Sequence, residues 1–374
     1  MLEGEALWDR VAGCLHGLLI GDALGCPVEG WTADQIAAEF GRLDQMAEVP
    51  GPRWRPRGLH SDDGQQALAV LDAICKDPER PELRFVDLMI ALRDAAPQRG
   101  GRWGLHRGVG RNFRQTIRGF QSTGSQDPFA HASATAGNGA AMRIAPVGLW
   151  WRDDPRTRDL RAASLSAVTH ADLRGIAAAQ ALAAAIARGL IPTPLPVLNS
   201  RLLDDVEQAE ERAATLLAIE HDRRFGQCLR ALVEHRRHCY DLRELLAGIE
   251  ARASSLGGAE RKVEATSGFA LCSVLTALAI VDFAESFEHA LVTAVNLGGD
   301  TDTIGAMVGA LAGARYGLNA IPSSWIDELH ATGTLMERID QVVARELGDP
   351  MPDLIALETE WDGLFEQRPL VSEG

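Results

Sequence analysis

The sequence predicts a compact all-α fold, and three observations carry that prediction. Alanine and leucine dominate the 374 residues, while aromatic residues make up 5% and tyrosine occurs twice. Such a composition favours helix over sheet. Apolar residues recur at spacings of three and four in several segments. No series of alternating strands appears, and no repeat of fixed period beyond two faces of glycines spaced four apart. With 46% apolar residues the chain can bury a real core. Its length suits one large domain or two ordinary ones.

Residues 7–20 read as the first helix. Leu7, Val11, Leu15 and Leu18 make one apolar face, and Gly13, Gly17 and Gly21 make a second face of bare backbone. Glycines four apart let another helix approach closely, against a propensity cost of about 1 kcal/mol each. This helix is expected to end in the turn-rich GDALGCPVEG. QQALAVLDAIC, residues 65–75, reads as the next helix. Residues 97–112 are rich in glycine and arginine and residues 121–140 in small residues, so both read as loops. Alanine-rich helices are expected at 158–169 and 172–188, with Pro192, Pro194 and Pro196 marking a break. From 198 to 252 the chain is charged and strongly helical. Apolar helices follow at 266–283 and 286–296. A further helix begins near Thr303, where Gly305, Gly309 and Gly313 repeat the four-residue spacing. The reading is one domain over 1–374, with 190–255 as a helical insertion or peripheral layer.

The net charge of −15 argues against a general electrostatic grip on nucleic acid or anionic membrane. Six cysteines (Cys14, Cys26, Cys75, Cys228, Cys239 and Cys272) form no C-x-x-C pair and read as free thiols in a reducing compartment. The N-terminus lacks the features of a signal peptide. Phe269–Val281, read as the longest nearly apolar run, is too short to span a bilayer. The expectation is a cytoplasmic protein without membrane contact. The oligomeric state is left open.

Two acidic clusters stand where loops lead into helices. HSDDGQQAL holds Ser61, Asp62 and Asp63, and NLGGDTDTIG holds Asp300, Asp302 and Thr303. Carboxylate and hydroxyl oxygens are hard ligands, suited to Mg2+, Mn2+ or Ca2+ rather than zinc. Helix capping is the competing reading of either cluster alone. An EF-hand fails, because Ile304 and Leu311 fall where oxygen ligands are required. If the clusters converged, four aspartates would repel one another. Two divalent cations would relieve that repulsion, and the Asp-x-Asp spacing lets one carboxylate bridge both.

Other segments carry weaker signals. Backbone amides at Gly137, Asn138 and Gly139 in AGNGAAMRIAP can approach a pyrophosphate, although taken alone these residues read first as a plain turn into a helix. The segment is neither a Walker A motif nor a good dinucleotide fingerprint. His170 sits at a junction between helices, where a structural hydrogen bond is its alternative role. Glu29 is a loop carboxylate. Arg102, Arg107 and Arg111 make a local basic patch that an anionic ligand would suit, or else a solvated loop. No Gly-x-Ser-x-Gly elbow or Cys/His nucleophile signature appears.

GLLIGDALGCPVEG, SDDGQQAL, GNGAAMRIAPVGL, VTHAD and NLGGDTDTIGAMVGALAGARYG run in this order over about residues 11–317. In that ordered set the chain resembles the ADP-ribosylglycohydrolase family, which includes the dinitrogenase-reductase-activating glycohydrolase and the ADP-ribosylarginine hydrolases. The resemblance implies an all-α, orthogonal helical fold with a binuclear Mg2+ or Mn2+ centre at helix-leading loops. It implies metal ligation by Ser61, Asp62, Asp63, Asp300, Asp302 and Thr303. Glu29 matches a carboxylate on a mobile loop near the metals. Gly137, Asn138, Gly139 and Ala140 match the loop that cradles the ADP-ribose phosphates, and His170 matches a position beside the ligand. Ser61 replaces a more usual threonine and keeps the oxygen ligand. Gly64 also replaces a threonine and loses a hydroxyl. Nothing is carried over onto 190–255 or the less familiar extension at 318–374.

The activity so implied is hydrolysis of an ADP-ribose glycosidic bond, foremost the N-glycosidic bond to a protein arginine. Asp62 or Glu29 would act as base or acid, through an oxocarbenium-like transition state. The implied partners are ADP-ribose and an ADP-ribosylated protein. The alternatives are ADP-ribose linked to serine, to a small molecule or to nucleic acid, a two-metal phosphohydrolase, and a non-catalytic ADP-ribose binder.

Overall fold

The computed structural model describes residues 4–48, 54–97, 103–259 and 262–367. The first helices are α1 (Gly4–Gly25), α2 (Ala33–Phe40), α3 (Asp62–Lys76), α4 (Pro81–Asp94) and α5 (Arg111–Thr123). Then come α6 (Ala145–Trp150), α7 (Pro155–Ala167), α8 (Leu173–Gly189), α9 (Ser200–Leu217), α10 (Arg224–Arg236) and α11 (Leu242–Ser255). The last are α12 (Ala270–Phe283), α13 (Phe287–Asn296), α14 (Thr301–Tyr316), α15 (Ser323–Glu328), α16 (Leu335–Ala344) and α17 (Leu354–Gly363). Among the described residues there is no strand, only isolated bridges. The fold is all-α, as expected.

The antiparallel pair of α1 and α14 forms the centre. A Cβ placed on Gly13, Gly17, Gly21 or Gly25 would stand 2.6, 2.2, 2.0 or 2.2 Å from the carbonyl oxygen of Gly313, Gly309, Gly305 or Thr301, respectively. The two glycine faces therefore meet each other, backbone on backbone. Thr301 Oγ1 closes the seam by donating to the Gly25 carbonyl at 2.9 Å. This contact also lengthens the first helix beyond the expected 7–20. The helix ends inside GDALGCPVEG as expected, but runs beyond residue 20 to Gly25, because packing against α14 outweighs the poor helix propensity of Gly21 and Gly25.

α8, α12 and α13 pack on α14, while α3 and α16 pack on α1. The charged 198–252 segment is three helices. α9 lies on α7 and α8, α10 on α9, and α11 on α12. Among the described residues, the helical stretch with the length and composition of a membrane span is Gly4–Val28, not the shorter apolar helix at Ala270–Phe283. Yet 94% of the most apolar window of Gly4–Val28 is buried inside the protein. All six cysteines are buried free thiols.

Candidate active site

The antiparallel seam sets the C-terminal end of α1 beside the N-terminal end of α14, and α3 begins at the same place. Asp22 of α1 makes the junction: its Oδ1 accepts from the Ser61 amide at 2.8 Å and its Oδ2 from the Gly64 amide at 2.7 Å. Ser61 is the N-cap of α3, accepting from the Asp63 amide and donating to Asp63 Oδ2 at 3.1 Å. Asp62 and Asp63 form the first turn. Two consecutive left-handed residues, Gly298 (φ 75°) and Gly299 (φ 81°), lead into Asp300. A side chain on Gly299 would stand 2.4 Å from Thr266 Oγ1, so the paired glycines are sterically required. Asp300 caps α14 without a side-chain cap bond. Its Oδ2 instead accepts from Asn138 Nδ2 at 2.7 Å.

A cleft of about 430 Å³ opens over these groups. Glu29, Asp62, Asp63, Asp300, Asp302 and Thr303 line one part, and Gly137, Asn138, Gly139 and His170 line another. Ser61 and Ala140 are fully buried and do not line it. The 137–140 loop is pinned by the Asn138 amide to Gly268 O and the Ala270 amide to Ala136 O. The proposed basic patch does not form as a unit. Arg111 lines the cleft, but Arg107 is buried between Glu358 and His60. Arg102 lies outside the described residues.

Burial and crowding dominate the electrostatics. Asp63 and Asp302 are raised well above the usual carboxylate range, first by burial and then by neighbouring carboxylates: Asp22, Asp62 and Asp300 for Asp63, and Asp63, Glu29, Asp300 and Asp22 for Asp302. Asp62 is pushed up to about 7 by burial and by Asp22 and Glu29, against the pull of Arg55. A carboxylate group of this kind calls for cations. The donor set is all hard oxygen, and Asp63 Oδ1 is buried with no hydrogen-bond partner among the described residues, so these residues suit divalent cations. They are not drawn to one point. Among the described residues, the group whose ligand atoms all lie within 4.8 Å of one another is His235, Cys239 and Glu244, outside this cleft.

Three residues of the site were not picked out from the sequence. Asp22 had a visible signal, a lone charge in the apolar, glycine-faced stretch from Val11 to Gly25. Arg55 turns its charge on Asp22, Asp302 and Asp62. Arg143, fully buried, joins the cleft wall to Gln66 and Thr169. The two arginines reach the site only through tertiary packing, which a local pattern does not reveal.

The sequence model of one family, ADP-ribosylglycohydrolase, matches residues 3–352. The chain belongs to the ADP-ribosylglycohydrolase family. Within the family it is similar to the ADP-ribosyl-[dinitrogen reductase] glycohydrolase of Rhodospirillum rubrum, at 27% identity over 95% of this chain and 99% of the relative. It is 29% identical to the ADP-ribosylhydrolase ARH3 of Danio rerio, covering 84% of this chain and 85% of that one. An ADP-ribosylarginine hydrolase of Pseudomonas putida is 24% identical, covering 96% and 82%. A solved structure titled ADP-ribosylglycohydrolase-related protein complex superposes with a TM-score of 0.62 at 26% identity, covering 95% of this chain and 100% of that one.

Proposed function

We propose that this protein hydrolyses the glycosidic bond between ADP-ribose and an arginine side chain of a protein, in a reaction that requires two divalent cations, Mg2+ or Mn2+. The observation that carries the reading is the meeting of two carboxylate-bearing helix N-termini and the Asn138 loop on one cleft. Ser61, Asp62, Asp63, Asp300, Asp302 and Thr303 would hold the cations, which when bound supply Lewis-acid chemistry at the ribose hydroxyls and at water. Asp62 and Glu29, which both line the cleft, would take or give a proton at the scissile bond. Asp62 is oriented by Gln66, whose Nε2 donates to its Oδ2 at 3.1 Å. Gly137, Asn138, Gly139 and His170 would bind the ADP-ribose, whose phosphates the bare 137–139 backbone can approach closely. Six buried free thiols support a reducing compartment, the cytoplasm.

The arginine linkage draws its support from the name of the Pseudomonas putida relative. The higher identity to the Danio rerio enzyme favours a second reading, another ADP-ribosyl linkage such as that to serine. The test measures free ADP-ribose released from arginine-ADP-ribosylated and serine-ADP-ribosylated proteins, with Mg2+ or with EDTA. Mg2+-dependent release from the arginine substrate is expected. Release from the serine substrate alone would replace the first reading by the second. Liberation of inorganic phosphate in place of ADP-ribose would sink both.

A further inference from the structure

Arg143 lies under the cleft wall with its guanidinium 4.7 Å from the Phe85 ring centroid. Its Nη1 donates to Gln66 Oε1 at 2.7 Å and its Nη2 to Thr169 Oγ1 at 2.6 Å. Thr169 Oγ1 is in turn 2.7 Å from Nδ1 of His170. A guanidinium carries donors and no acceptor, so Thr169 must accept from it. The hydroxyl then has one proton of its own to give. Among the described residues, Nδ1 of His170 is the one acceptor within hydrogen-bond reach of it. A ring nitrogen that accepts leaves the imidazole proton on the other nitrogen.

We propose that Arg143 and Thr169 form a relay that fixes His170 in its Nε2–H tautomer, so that His170 offers the cleft a neutral hydrogen-bond donor aimed at an acceptor oxygen of the ligand. The direction is set by packing. A Cβ on Gly139 would stand 3.5 Å from Nε2 and one on Gly137 3.6 Å, which puts Nε2 against the loop that lines the cleft. Burial and the charge of Arg143 also oppose protonation and hold the imidazole at about 3, so it stays neutral at working pH. On the reading of the cleft as an ADP-ribose site, the acceptor is a phosphate or ribose oxygen. Thr169 and Arg143 are then positioning residues that act through His170, and His170 binds rather than transfers protons.

Two measurements test this. In metal-free protein labelled with 15N at histidine, the ring signals that vanish in His170→Gln should show a proton on Nε2 and none on Nδ1, without titration between about pH 5 and pH 8. A proton on Nδ1, or titration in that range, overturns the relay. In metal-loaded protein, Thr169→Val should weaken ADP-ribose binding about 10-fold by calorimetry, and Thr169→Ser should stay within about twofold of wild type. Unchanged affinity in Thr169→Val also overturns it. Should that variant not fold, the wild-type spectrum decides. If wild-type protein shows the Nε2–H tautomer yet binds no ADP-ribose, the ADP-ribose reading falls while the relay stands.

Discussion

At the junction of α3 and α14, burial and crowding by neighbouring carboxylates strengthen the hold of Asp63 and Asp302 on their protons. A carboxyl whose folded-state pKa lies above its unfolded value binds the extra proton when folded. The stability linked to it is complete below the unfolded value, about pH 4, and is lost as pH rises towards the folded one, about 7 for Asp62. Metal-free protein should therefore melt at a lower temperature at about pH 8 than at about pH 5. Mg2+ should raise the Tm more at the higher pH, because a ligand that binds only the folded state stabilises it by mass action. Thermal melts with EDTA or Mg2+ check this, and a larger Mg2+ effect at the acidic pH would remove these carboxylates as its binding site. Asp302→Asn should raise the Tm of the EDTA-treated protein and abolish ADP-ribose release. Gly64 is a residue whose cause the sequence could not show. The motif suggests a lost hydroxyl, but a Cβ there would stand 2.6 Å from Leu19 Cδ2 and 2.7 Å from His60 Cδ2. The more usual threonine does not fit this core. Gly64→Thr should cost about 1–3 kcal/mol in denaturant titrations.

At the scale of elements, the long apolar helices and the two glycine faces were legible because their signals are periodic and local. What the periodicity could not say was that the faces pair with each other, in antiparallel register. Gly309→Ala puts a methyl 1.9 Å from the Gly17 carbonyl oxygen, with backbone on both sides and no side chain able to yield. That variant should lose at least about 3 kcal/mol, or fail to accumulate as folded protein, by circular dichroism and chemical denaturation. An alanine at the solvent-facing Gly333, whose Cβ meets nothing within 4 Å, is the matched control. Several helices were passed over despite visible start signals. α2 opens with a complete capping box between Thr32 and Gln35, and α4 opens on Pro81. Their apolar stripes are short and polar residues interrupt them, so periodicity alone undersold them. The glycine- and arginine-rich loop likewise ends two residues early, where α5 begins at Arg111.

Over the whole molecule, the motifs that predict chemistry stop near residue 317, and nothing in the sequence pointed to a role for the segment beyond. The structure gives it one. α17 carries Glu358 into a fully buried cluster with Arg107 and His60, immediately before the Ser61–Asp63 turn. Arg107 also donates to the His60 carbonyl at 3.0 Å. α16 ties the other end of α3 through Arg338 Nε and Nη2, which donate to Asp72 Oδ1 and Oδ2 at 2.7 Å each. These partners stand 251 and 266 positions apart, beyond any local pattern. Burial alone would raise Glu358, but Arg107 and His60 outweigh it and hold the carboxyl at about 2. The stability it contributes is thus present above the usual glutamate range, about pH 4.5, and is lost as pH falls towards 2. Glu358→Ala leaves Arg107 buried and unpaired and should cost about 3–5 kcal/mol in denaturant titrations. The same variant should bind Mg2+ more weakly by calorimetry, because the turn proposed to hold the cations loses its support.

The seam between α1 and α14 also fixes an order in time. A ribosome delivers Gly13 to Gly25 almost three hundred residues before the glycines that must lie against them. Until then the first helix has no surface for its bare backbone, and Asp300 and Asp302 do not yet exist to face Asp62 and Asp63. The acidic cleft therefore cannot assemble until the residues that open α14 have been made. The central contact forms late, a folding problem of high contact order whose early apolar helix needs shelter while it waits.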